Sequence, residues 1–533
     1  MKLLSLLKEL SLNPKNAEEM KGLILQLALD GKLSTNSGTN EYEIGELIEF
    51  TKNGFTGKPN DDGLGLLRLG IECVTQSSGL DINIGMAKYR EIPEDKKSKY
   101  FVKKGDIFVC RQNGNLHFVG KAGYYLGEDD KFIFSDSLIQ LRPKNDLVQS
   151  EFLALSMSGI RARIQIEKFC STTAGNYSIN GTNLKTVKLR VPSIEEQKVI
   201  VEVVNLLFAE VEQLEELTKE RISLKEDFVT SALRRLTESD NTTQEWNYLQ
   251  QHFSSFFIEK KNIKSLRETI LQLAVEGKLT AKWRDANPNT EPASELLKRI
   301  EVEKQQLIAE KKIKKEKPLS PIEDEDKPYD LPESWVWCRL GSITTIKGGK
   351  RLPKGEKLTR EDTGRVYIRV TDMKNGTIDE TDLHYVTEDV FKIISKYIIE
   401  REDLYLTIVG ATIGKLGLIP SKFHGMNLTE NAARIIKYKV SKDFMYLTMI
   451  SKVVQGQFFD KTNQVGVPKL ALHRVAKTLF PLPPLKEQQA IVEKANSLLA
   501  LCDELEQQVD NSQTQVEQLM QSCLKEVFEQ ESN

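Results

Sequence analysis

A short helix-forming sequence occurs twice in this chain, and this repeat constrains the fold more than any other feature. Residues 24–34 read ILQLALDGKLS and residues 270–280 read ILQLAVEGKLT, with an offset of 246 residues and eight of eleven positions identical. A second pair, VPSIEEQKVIVE at 191–202 and LPPLKEQQAIVE at 482–493, has an offset of 291 residues. Both pairs keep the same order, which predicts an internal tandem repeat. The alternative, two unrelated domains joined by generic helices, leaves the shared order unexplained.

Local signals predict that the repeated short segment is a helix that ends at a glycine. Gly31 follows the apolar run of the first copy and Gly277 follows that of the second. In the second copy Ser265 and Glu268 have the spacing of a capping box, which predicts a helix start there. The helix is expected to be well buried, because most of its residues are apolar.

The longer repeated segment is typical of a coiled-coil helix. Its first copy opens with the capping-box pattern Ser193–Glu196, and apolar residues then recur in steps of three and four. A helix of about 40 residues is about 60 Å long and needs a partner helix, which we expect to be the other copy. The apolar positions are Ile200, Val204, Leu207, Val211 and Leu214 in the first copy and Ile491, Leu498, Cys502, Leu505, Val509, Val516, Leu519, Cys523 and Val527 in the second.

A chain built from two such copies can close on itself. Its middle carries a long helix followed by a short one, while its C-terminus supplies a long helix and its N-terminus a short one. If the ends Met1 and Asn533 meet, the two long helices pack antiparallel and a pseudo-two-fold axis relates the copies. The extra residues of the second copy fall mostly within 281–330, a charged, proline-bearing stretch that is typical of a helix followed by a linker.

Two globular segments lie between the repeated helices, at 36–190 and 331–480. Each begins with short β-rich runs and glycine-rich turns and then becomes more helical, with SEFLALSMSGIRARIQ in the first and SKDFMYLTMISKVVQGQF in the second. The predicted fold class is therefore α+β, with two mixed α/β domains separated by an antiparallel coiled coil of two long helices. A shared frame with divergent domains is expected to present two different recognition surfaces.

No catalytic or metal-binding motif is readable in the sequence. The six cysteines make no C-x-x-C pair, and the five histidines have no zinc-like spacing. GATIGK at 410–415 has three residues between its glycines instead of four, and leucine follows its lysine, so it does not fit a phosphate loop. We expect a non-catalytic, cytoplasmic chain with reduced cysteines and no membrane span.

Polar and basic residues in the turn-rich stretches of both domains are candidates for contact with DNA. Arginine and lysine can bind guanine edges, asparagine and glutamine can bind adenine edges, and loop lysines suit phosphates. The formal net charge is −2, so such a surface must be local or completed by a partner. Solvated surface charge and turn formation are the alternative roles of each residue. The candidates are Lys103, Lys104, Arg111, Gln112, Asn113, Asn115, Lys121, Asn176 and Tyr177 in the first domain and Lys347, Lys350, Arg351, Lys354, Arg369, Thr371, Lys374, Asn375, Lys415, Asn463 and Gln464 in the second.

Several of these stretches together resemble the specificity (S) subunit of Type I restriction-modification systems. The resemblance covers nearly the whole chain and is carried by LRETILQLAVEGKLT, LPESWVWCRLGSI, YIRVTDMKNG, VGATIGKLGLI and PLPPLKEQQAIVEKANSLL. The first domain departs from the pattern, because it has VCRQNGNLHFVGKAG where the second has LTIVGATIGKLGLI.

The resemblance implies a non-catalytic subunit whose two target-recognition domains each read one half of a split, asymmetric DNA site. The implied partners are double-stranded DNA, two modification (methyltransferase) subunits that methylate adenine, and restriction subunits that translocate and cut DNA. The helical frame would set the gap between half-sites and bind the modification subunits. No cofactor is expected in this chain, since the partners would use S-adenosylmethionine, ATP and Mg²⁺.

The resemblance also assigns roles to five regions of the chain. These are an N-terminal short helix (1–35), a first target-recognition domain (36–190), a central conserved region (191–330), a second target-recognition domain (331–480) and a C-terminal conserved region (481–533). Two other functions stay open, a stand-alone nuclease or methyltransferase and a coiled-coil adaptor that binds only proteins. Turnover by the isolated chain would favour the first, and binding without DNA specificity would favour the second.

Overall fold

The computed structural model describes residues 17–33, 38–60, 62–77, 79–173, 175–239, 241–459 and 468–529. The chain forms two compact units, Met1–Ser223 together with Leu519–Asn533, and Leu224–Gln518. The expected meeting of Met1 and Asn533 themselves lies outside the described residues.

The helices of the first unit flank its sheets and end in a helix of 45 residues that continues past Ser223. They are α1 (Ala17–Leu29), α2 (Ile44–Leu47), α3 (Ile71–Thr75), α4 (Glu94–Tyr100), α5 (Ser150–Ser158), α6 (Ile160–Phe169), α7 (Gly181–Lys185) and α8 (Ile194–Glu238). The strands are β1 (Asn40–Glu43), β2 (Ile48–Asn53), β3 (Leu66–Leu69), β4 (Lys88–Arg90), β5 (Ile107–Cys110), β6 (Gln112–Asn113), β7 (Ala122–Tyr124), β8 (Phe132–Phe134), β9 (Leu138–Pro143), β10 (Ser171–Thr173), β11 (Asn176–Ser178) and β12 (Lys188–Val191).

An antiparallel four-stranded sheet in the order β2-β9-β5-β7 forms the centre of the first domain. A three-stranded sheet pairs β3 with β4 in antiparallel and with β8 in parallel orientation. The first sheet packs against α1, α5 and the start of α8 in one hydrophobic core, which includes Ile24, Leu141, Phe152 and Val204. These four side chains are at most 1% exposed, so burial of their apolar surface is the main stabilising term here.

The second unit contains α9 to α18, most of α19, and β13 to β23. The helices are α9 (Thr242–Gln251), α10 (Phe253–Phe256), α11 (Lys260–Val275), α12 (Ala281–Ala286), α13 (Ala293–Ala309), α14 (Leu340–Ile343), α15 (Glu388–Ile394), α16 (Lys442–Ile450), α17 (Lys452–Phe459), α18 (Leu472–Ala476) and α19 (Leu485–Glu529). The strands are β13 (Val336–Arg339), β14 (Thr344–Gly348), β15 (Tyr367–Ile368), β16 (Met373–Lys374), β17 (Thr377–Ile378), β18 (Ile398–Ile399), β19 (Leu404–Thr407), β20 (Leu416–Leu418), β21 (Met426–Leu428), β22 (Ala432–Lys437) and β23 (Leu479–Leu482).

Both domains have the same sheet topology although their sequences resemble each other only weakly. The order β14-β22-β19-β20 repeats β2-β9-β5-β7 with the same antiparallel pairings. The parallel pair β15 and β21 repeats β3 and β8, and the pair β13 and β23 repeats β1 and β12. The predicted fold class, two mixed α/β domains in a tandem repeat, is confirmed.

The sequence offsets of the repeat recur as contacts between short and long helices. Lys21 of α1 forms an ion pair of 2.8 Å with Glu212 of α8. Arg267 of α11 contacts Asp503 of α19. Position 267 lies 246 residues after 21 and position 503 lies 291 residues after 212, the same offsets that separate the repeated segments. Each short helix therefore packs in the same register on the long helix of its own copy.

In the second unit, α11 runs parallel to the end of α8. Lys261, near the start of α11, forms an ion pair of 2.8 Å with Glu226. Lys278, just after α11, donates a hydrogen bond to the carbonyl oxygen of Thr237. The later residue of the α11 segment thus contacts the later residue of α8, so the two helices run in the same direction.

The same helix runs antiparallel to α19. Lys260 pairs with Asp510 at 2.6 Å, while Arg267, further along α11, pairs with the earlier residue Glu506 at 3.1 Å. The end of α8 and the helix α19 therefore run in opposite directions, as predicted for the two long helices. Within this unit they share one apolar cluster, formed by Val229, Leu233, Leu236, Leu249, Phe253, Phe257, Ile263, Leu266, Ile270, Leu273, Leu498, Cys502, Leu505 and Val509.

The helix ends agree with the sequence in part. Gly31 and Gly277 both have φ of +74°, so each ends its short helix in the left-handed conformation, as predicted. The start predicted at Ser265 is wrong, because α11 begins at Lys260 and the Ser265 hydroxyl donates to the carbonyl of Lys261. The helix extends further because Ile263, 1% exposed, is buried in the apolar cluster, and this burial outweighs a local capping signal.

Candidate nucleic-acid interface

Four strand ends of the second domain meet at one edge of its central sheet. Strand β14 ends where Gly348 pairs with Ala433, and β22 starts beside it where Ala432 pairs with Thr407, the last residue of β19. Strand β20 then starts with Leu416, which pairs next to that point. The loops that leave these ends, 349–354, 408–415 and 429–431, therefore lie together, and we call them the second rim.

The first domain has an equivalent edge. There Asn53 at the end of β2 pairs with Ile139, and Cys110 at the end of β5 pairs with Leu138. The loops 54–57, 111–121 and 135–137 leave this edge, and we call them the first rim. Sequence-distant polar loops are thus brought together twice, at the same place on the same sheet.

The structure places a group of the predicted residues of the first domain in or beside the first rim. Strand β6 pairs with β11, so Asn113 lies opposite Tyr177 and Gln112 opposite Ser178. Gln112 and Asn176 are exposed, whereas Tyr177 is half-buried. The residues brought together are Arg111, Gln112, Asn113, Asn115, Asn176 and Tyr177.

Three predicted lysines of the first domain have other surroundings. Lys103 and Lys104 precede β5, at the opposite end of that strand from the first rim. Lys121 does lie in the rim, but its ammonium group donates to the carbonyl oxygens of Thr75 and Ser77, both at 3.3 Å. Burial lowers the pKa of Lys121. Its structural contacts hold two loops together.

The predicted basic residues of the second domain cluster more closely. Four of them are exposed in the second rim, namely Lys350, Arg351, Lys354 and Lys415. Lys347 is exposed near the end of β14, just before the rim. Asn463 and Gln464 lie outside the described residues. The remaining candidates, Arg369, Thr371, Lys374 and Asn375, belong to a neighbouring segment around β16.

The segment around β16 is hydrogen-bonded to β20 and borders a cavity that it shares with the second rim. The backbone N–H of Leu418 donates to the carbonyl oxygen of Gly376 at 2.9 Å. A cavity of about 500 Å³ is lined by Asn375 and Lys415 together with Tyr405 and Gln455. Two candidate residues that are 40 positions apart in sequence therefore face one space.

Two cations of this segment are held by carboxylates of the same domain. Arg369 contacts Asp372 at 2.6 Å and Asp382 at 3.2 Å, and the hydrogen bonds that it donates to Asp372 raise the pKa of the guanidinium. Lys374 contacts Asp379 at 2.6 Å, and this contact, together with hydrogen bonds from Thr381, lowers the pKa of the carboxyl group to about 2. Their charges are already compensated within the domain.

Sequence reasoning missed one carboxylate in each rim. Glu430 lies in the second rim and accepts a hydrogen bond of 2.8 Å from the Nε of Arg351. Asp136 has the equivalent position in the first rim, where its carbonyl oxygen accepts from Arg111 at 3.0 Å. The sequence did contain a signal for both residues. Each is the acidic residue in the middle of a polar triplet, SDS before β9 in the first domain and TEN before β22 in the second.

The repeated glutamine of the long helices joins each helix to its domain. Gln197 accepts a hydrogen bond of 2.8 Å from the backbone N–H of Gln149, at the start of α5. Gln488 accepts one of 2.8 Å from the backbone N–H of Ser441, at the start of α16. Each glutamine amide also donates to a carbonyl, that of Pro192 or Pro483, at 3.0 Å. The shared EQ sequence thus has a structural reason.

The glutamate of the second EQ sequence is a buried hydrogen-bond acceptor. Glu487 is 0% exposed. Its carboxylate accepts from Thr280 at 2.6 Å, from Arg284 at 2.5 Å and from the indole N–H of Trp335 at 2.9 Å. The segment that follows the short helix, the residue before β13 and the start of the long helix are therefore joined at one point within the second unit.

The described residues offer neither a cluster of metal ligands nor a membrane-spanning helix. They contain no group of three or more His, Cys, Asp or Glu side chains placed to hold a metal ion. Within the same residues, no helix combines the length and the apolar character that crossing a membrane requires.

Comparison with known proteins agrees with the repeated fold. A family model described as the Type I restriction modification DNA specificity domain matches residues 36–224 and 332–514. The specificity subunit of the Type I restriction enzyme EcoAI from Escherichia coli is 32% identical over 374 residues, which cover 68% of this chain and 62% of that protein. The EcoEI specificity subunit from Escherichia coli is 26% identical over 392 residues, 70% of this chain and 64% of that protein. The matches thus span less than two thirds of these relatives.

A solved structure shows the same fold over most of the chain. It comes from work on complex assembly and conformational transition of the type I R-M system, with a TM-score of 0.51 and 14% identity. The match covers 93% of this chain and 98% of that one. Since the family model matches most of the sequence in two places, this chain belongs to the family of Type I restriction-modification DNA specificity proteins and carries the family's domain twice.

Proposed function

We propose that this chain is the non-catalytic specificity subunit of a Type I restriction-modification complex, and that each domain reads one half of a bipartite, asymmetric DNA site. The observation that carries the proposal is the pair of rims. Both domains have a central sheet of the same topology, and in each domain polar loops lie at the equivalent edge of that sheet. DNA specificity is the role of the family, and two equivalent edges with different residues suit two different half-sites.

The proposed partners follow from what this chain provides. A net charge of −2 supplies little of the phosphate neutralisation that drives DNA binding, so bound subunits must contribute it. Two modification subunits would fit a frame with two equivalent faces, and restriction subunits would join them. S-adenosylmethionine, ATP and Mg²⁺ would be used by those partners. The modification subunits would also flip the target adenine out of the duplex.

The long helices are proposed to set the gap between the half-sites. Each has 45 residues, which corresponds to about 67 Å of continuous α-helix. Half-sites one helical turn of DNA apart are separated by about 34–36 Å, so a helix of this length can hold two readers at such a distance. The glutamine contacts at Gln197 and Gln488 support this role, because they fix each domain to its helix.

Exchange of one domain tests whether each domain reads its own half-site. Residues 331–480 are replaced by the matching residues of another family member, and the hybrid is expressed with its modification subunits. We expect the methylated sequence to change in one half only, while the other half and the gap stay as they were. A change in both halves contradicts the proposal. The reciprocal exchange of 36–190 is the control, since it must change the opposite half.

A change in helix length tests the spacing role. Insertion or deletion of one helical turn within 200–230 is expected to alter the gap in the methylated sequence or to abolish binding. An unchanged gap would show that α8 does not set the spacing.

Activity of the isolated chain tests the non-catalytic assignment. Purified chain is incubated with DNA, Mg²⁺, ATP and S-adenosylmethionine. We expect neither cleavage nor methyl transfer without partner subunits, and either activity would favour the enzyme alternative.

A further inference from the structure

We propose that Arg351 reads a guanine in the half-site of the second domain and that Glu430 and Tyr367 position its guanidinium group. This inference rests on the proposed function, since it assigns one base to one residue of a domain proposed to read DNA. It concerns the loop 349–354, the part of the second rim that follows β14.

The backbone of this loop is held against the rest of the second rim. A Cβ atom on Gly349 would lie 2.1 Å from the carbonyl oxygen of Thr429, so only glycine permits this approach. The N–H of Lys350 donates to the carbonyl oxygen of Leu428 at 2.9 Å, and the Tyr367 hydroxyl donates to the carbonyl oxygen of Lys350 at 2.7 Å. The residue before Arg351 is therefore fixed on two sides.

The Arg351 side chain is fixed at one end and open at the other. Its Nε donates to Glu430 Oε1 at 2.8 Å. The second carboxylate oxygen, Oε2, accepts from the Thr429 hydroxyl at 3.2 Å and lies 3.3 Å from the Tyr367 hydroxyl oxygen, so the acceptor is itself held in place. The side chain is 80% exposed, and its two terminal nitrogens have no hydrogen-bond partner within the described parts of the chain.

This geometry suits a guanine better than any other base. The two terminal nitrogens of a guanidinium match O6 and N7 of guanine, which are both acceptors at the major-groove edge. A carboxylate with free oxygens would instead accept from the amino group of cytosine, but both oxygens of Glu430 are occupied. Fixing the Nε edge in advance lowers the cost of ordering a long side chain on binding.

The predicted cations around β16 and Lys354 of the same loop lack this combination. The terminal nitrogen of Arg369 already contacts Asp372 and Asp382, and Lys374 contacts Asp379. Lys354 is exposed on the same loop, but an ammonium group on a flexible stem cannot form a planar pair of hydrogen bonds.

The first domain has no arginine at the equivalent place. Gly348 pairs with Ala433 as Asn53 pairs with Ile139, so the strand ends correspond. Counting on from these ends aligns Gly349 with Gly54, and a Cβ there would also meet carbonyl oxygens, the nearest 2.3 Å away. Arg351 then corresponds to Thr56. The guanine contact is therefore specific to the second half-site.

Selection from a DNA library tests the assignment. The full chain in complex with its modification subunits is used to select duplexes randomised across both half-sites, and bound sequences are counted. The unaltered complex is expected to select a bipartite site with a guanine in the half-site of the second domain. That half-site is the one whose sequence changes when residues 331–480 are exchanged. Arg351→Ala is expected to lower the preference for guanine at one position by about 5- to 150-fold. All other positions should keep their preference.

Three further variants separate base reading from charge and from fold. Arg351→Lys keeps the charge but not the planar pair of nitrogens, so it should reduce the guanine preference, though by a smaller factor than the alanine variant. Glu430→Gln should weaken the preference at the same position by a smaller factor, because the amide holds Nε less tightly. Lys354→Ala is the control and should weaken binding evenly for all sequences.

The possible results separate this inference from the proposed function. A guanine preference that survives both Arg351 variants, or a change confined to the first half-site, would overturn the inference while leaving a bipartite site intact. The absence of any bipartite site with the unaltered complex would instead overturn the proposed function. Each variant should unfold at the same temperature as the unaltered chain. A loss of guanine preference then reflects the loss of the Arg351 contact and not a loss of fold.

Discussion

Replacement of Glu487 should open the junction between the segment that follows the short helix, the residue before β13 and the start of the long helix in the second unit. In the structure its buried carboxylate accepts hydrogen bonds from Thr280, Arg284 and Trp335. Glu487→Ala removes all three acceptor contacts at once and leaves the Arg284 guanidinium, whose side chain is 20% exposed, without its counter-charge. Glu487→Gln keeps the shape and one acceptor oxygen but turns an amide N–H₂ toward donors.

The expected magnitudes follow from burial. Removing one partner of a buried ion pair costs about 3–5 kcal/mol, and because water reaches Arg284 in part, we expect about 3 kcal/mol for Glu487→Ala. For Glu487→Gln the loss is that of hydrogen bonds to a charged group, about 1.5–3 kcal/mol. At about 1.4 kcal/mol per factor of ten, 3 kcal/mol corresponds to roughly 150-fold more frequent opening.

Hydrogen exchange measures this opening locally, which matters because a chain of two units does not unfold in one step. The amides of β13 and of the first turns of α19 should exchange faster in the order unaltered, Glu487→Gln, Glu487→Ala. The matched control is Glu504→Gln, an exposed glutamate of the same helix, which should leave these rates unchanged. Equal protection of β13 in Glu487→Ala and the unaltered chain would refute the reasoning.

Other contacts give further predictions. Gln488→Ala leaves the partly buried N–H of Ser441 without its acceptor, so we expect α16 to lose about 1 kcal/mol of local stability by hydrogen exchange, and unchanged α16 protection would contradict this. Gly349→Ala places a Cβ 2.1 Å from a carbonyl oxygen and should lower the thermal unfolding temperature, whereas Gly456→Ala, with open space inside a helix, should not; equal midpoints would argue against the close approach. Burial raises the pKa of the Cys110 thiol to about 11, which lowers its thiolate fraction at pH 8, so native alkylation by iodoacetamide, followed by mass spectrometry, should be much slower than in urea. Comparable rates in the two conditions would mean that this thiol is not buried.

The sequence predicted the helical frame well because the segments that form the frame occur twice in the chain. Identical stretches at fixed offsets must make the same contacts, and the pairs Lys21–Glu212 and Arg267–Asp503 show that they do. Periodicity was likewise enough for the long helices, since apolar steps of three and four depend only on local geometry. Gly31 and Gly277 were predictable for the same reason, because a left-handed residue is a local requirement.

The candidate interface was less predictable because it depends on strand pairing between distant segments. Gln112 and Asn176 are both visible as polar turn residues, but only the pairing of β6 with β11 places their segments together. Glu430 was missed because one acidic residue in a polar turn has no local signature, and its importance comes from the approach of Gly349 across the sheet edge. Lys121 shows the reverse case, in which a residue of the expected type is engaged by loop carbonyls.

The glutamine contact between long helix and domain depends on main-chain atoms of the domain alone. Gln197 accepts from the backbone of Gln149, and Gln488 accepts from the backbone of Ser441, so two unlike residues serve equally well. The attachment therefore places no demand on the domain's side chains at that position. A foreign domain of the same topology can be grafted onto the frame without a compensating change in the helix, which lets recognition diverge while the scaffold stays constant.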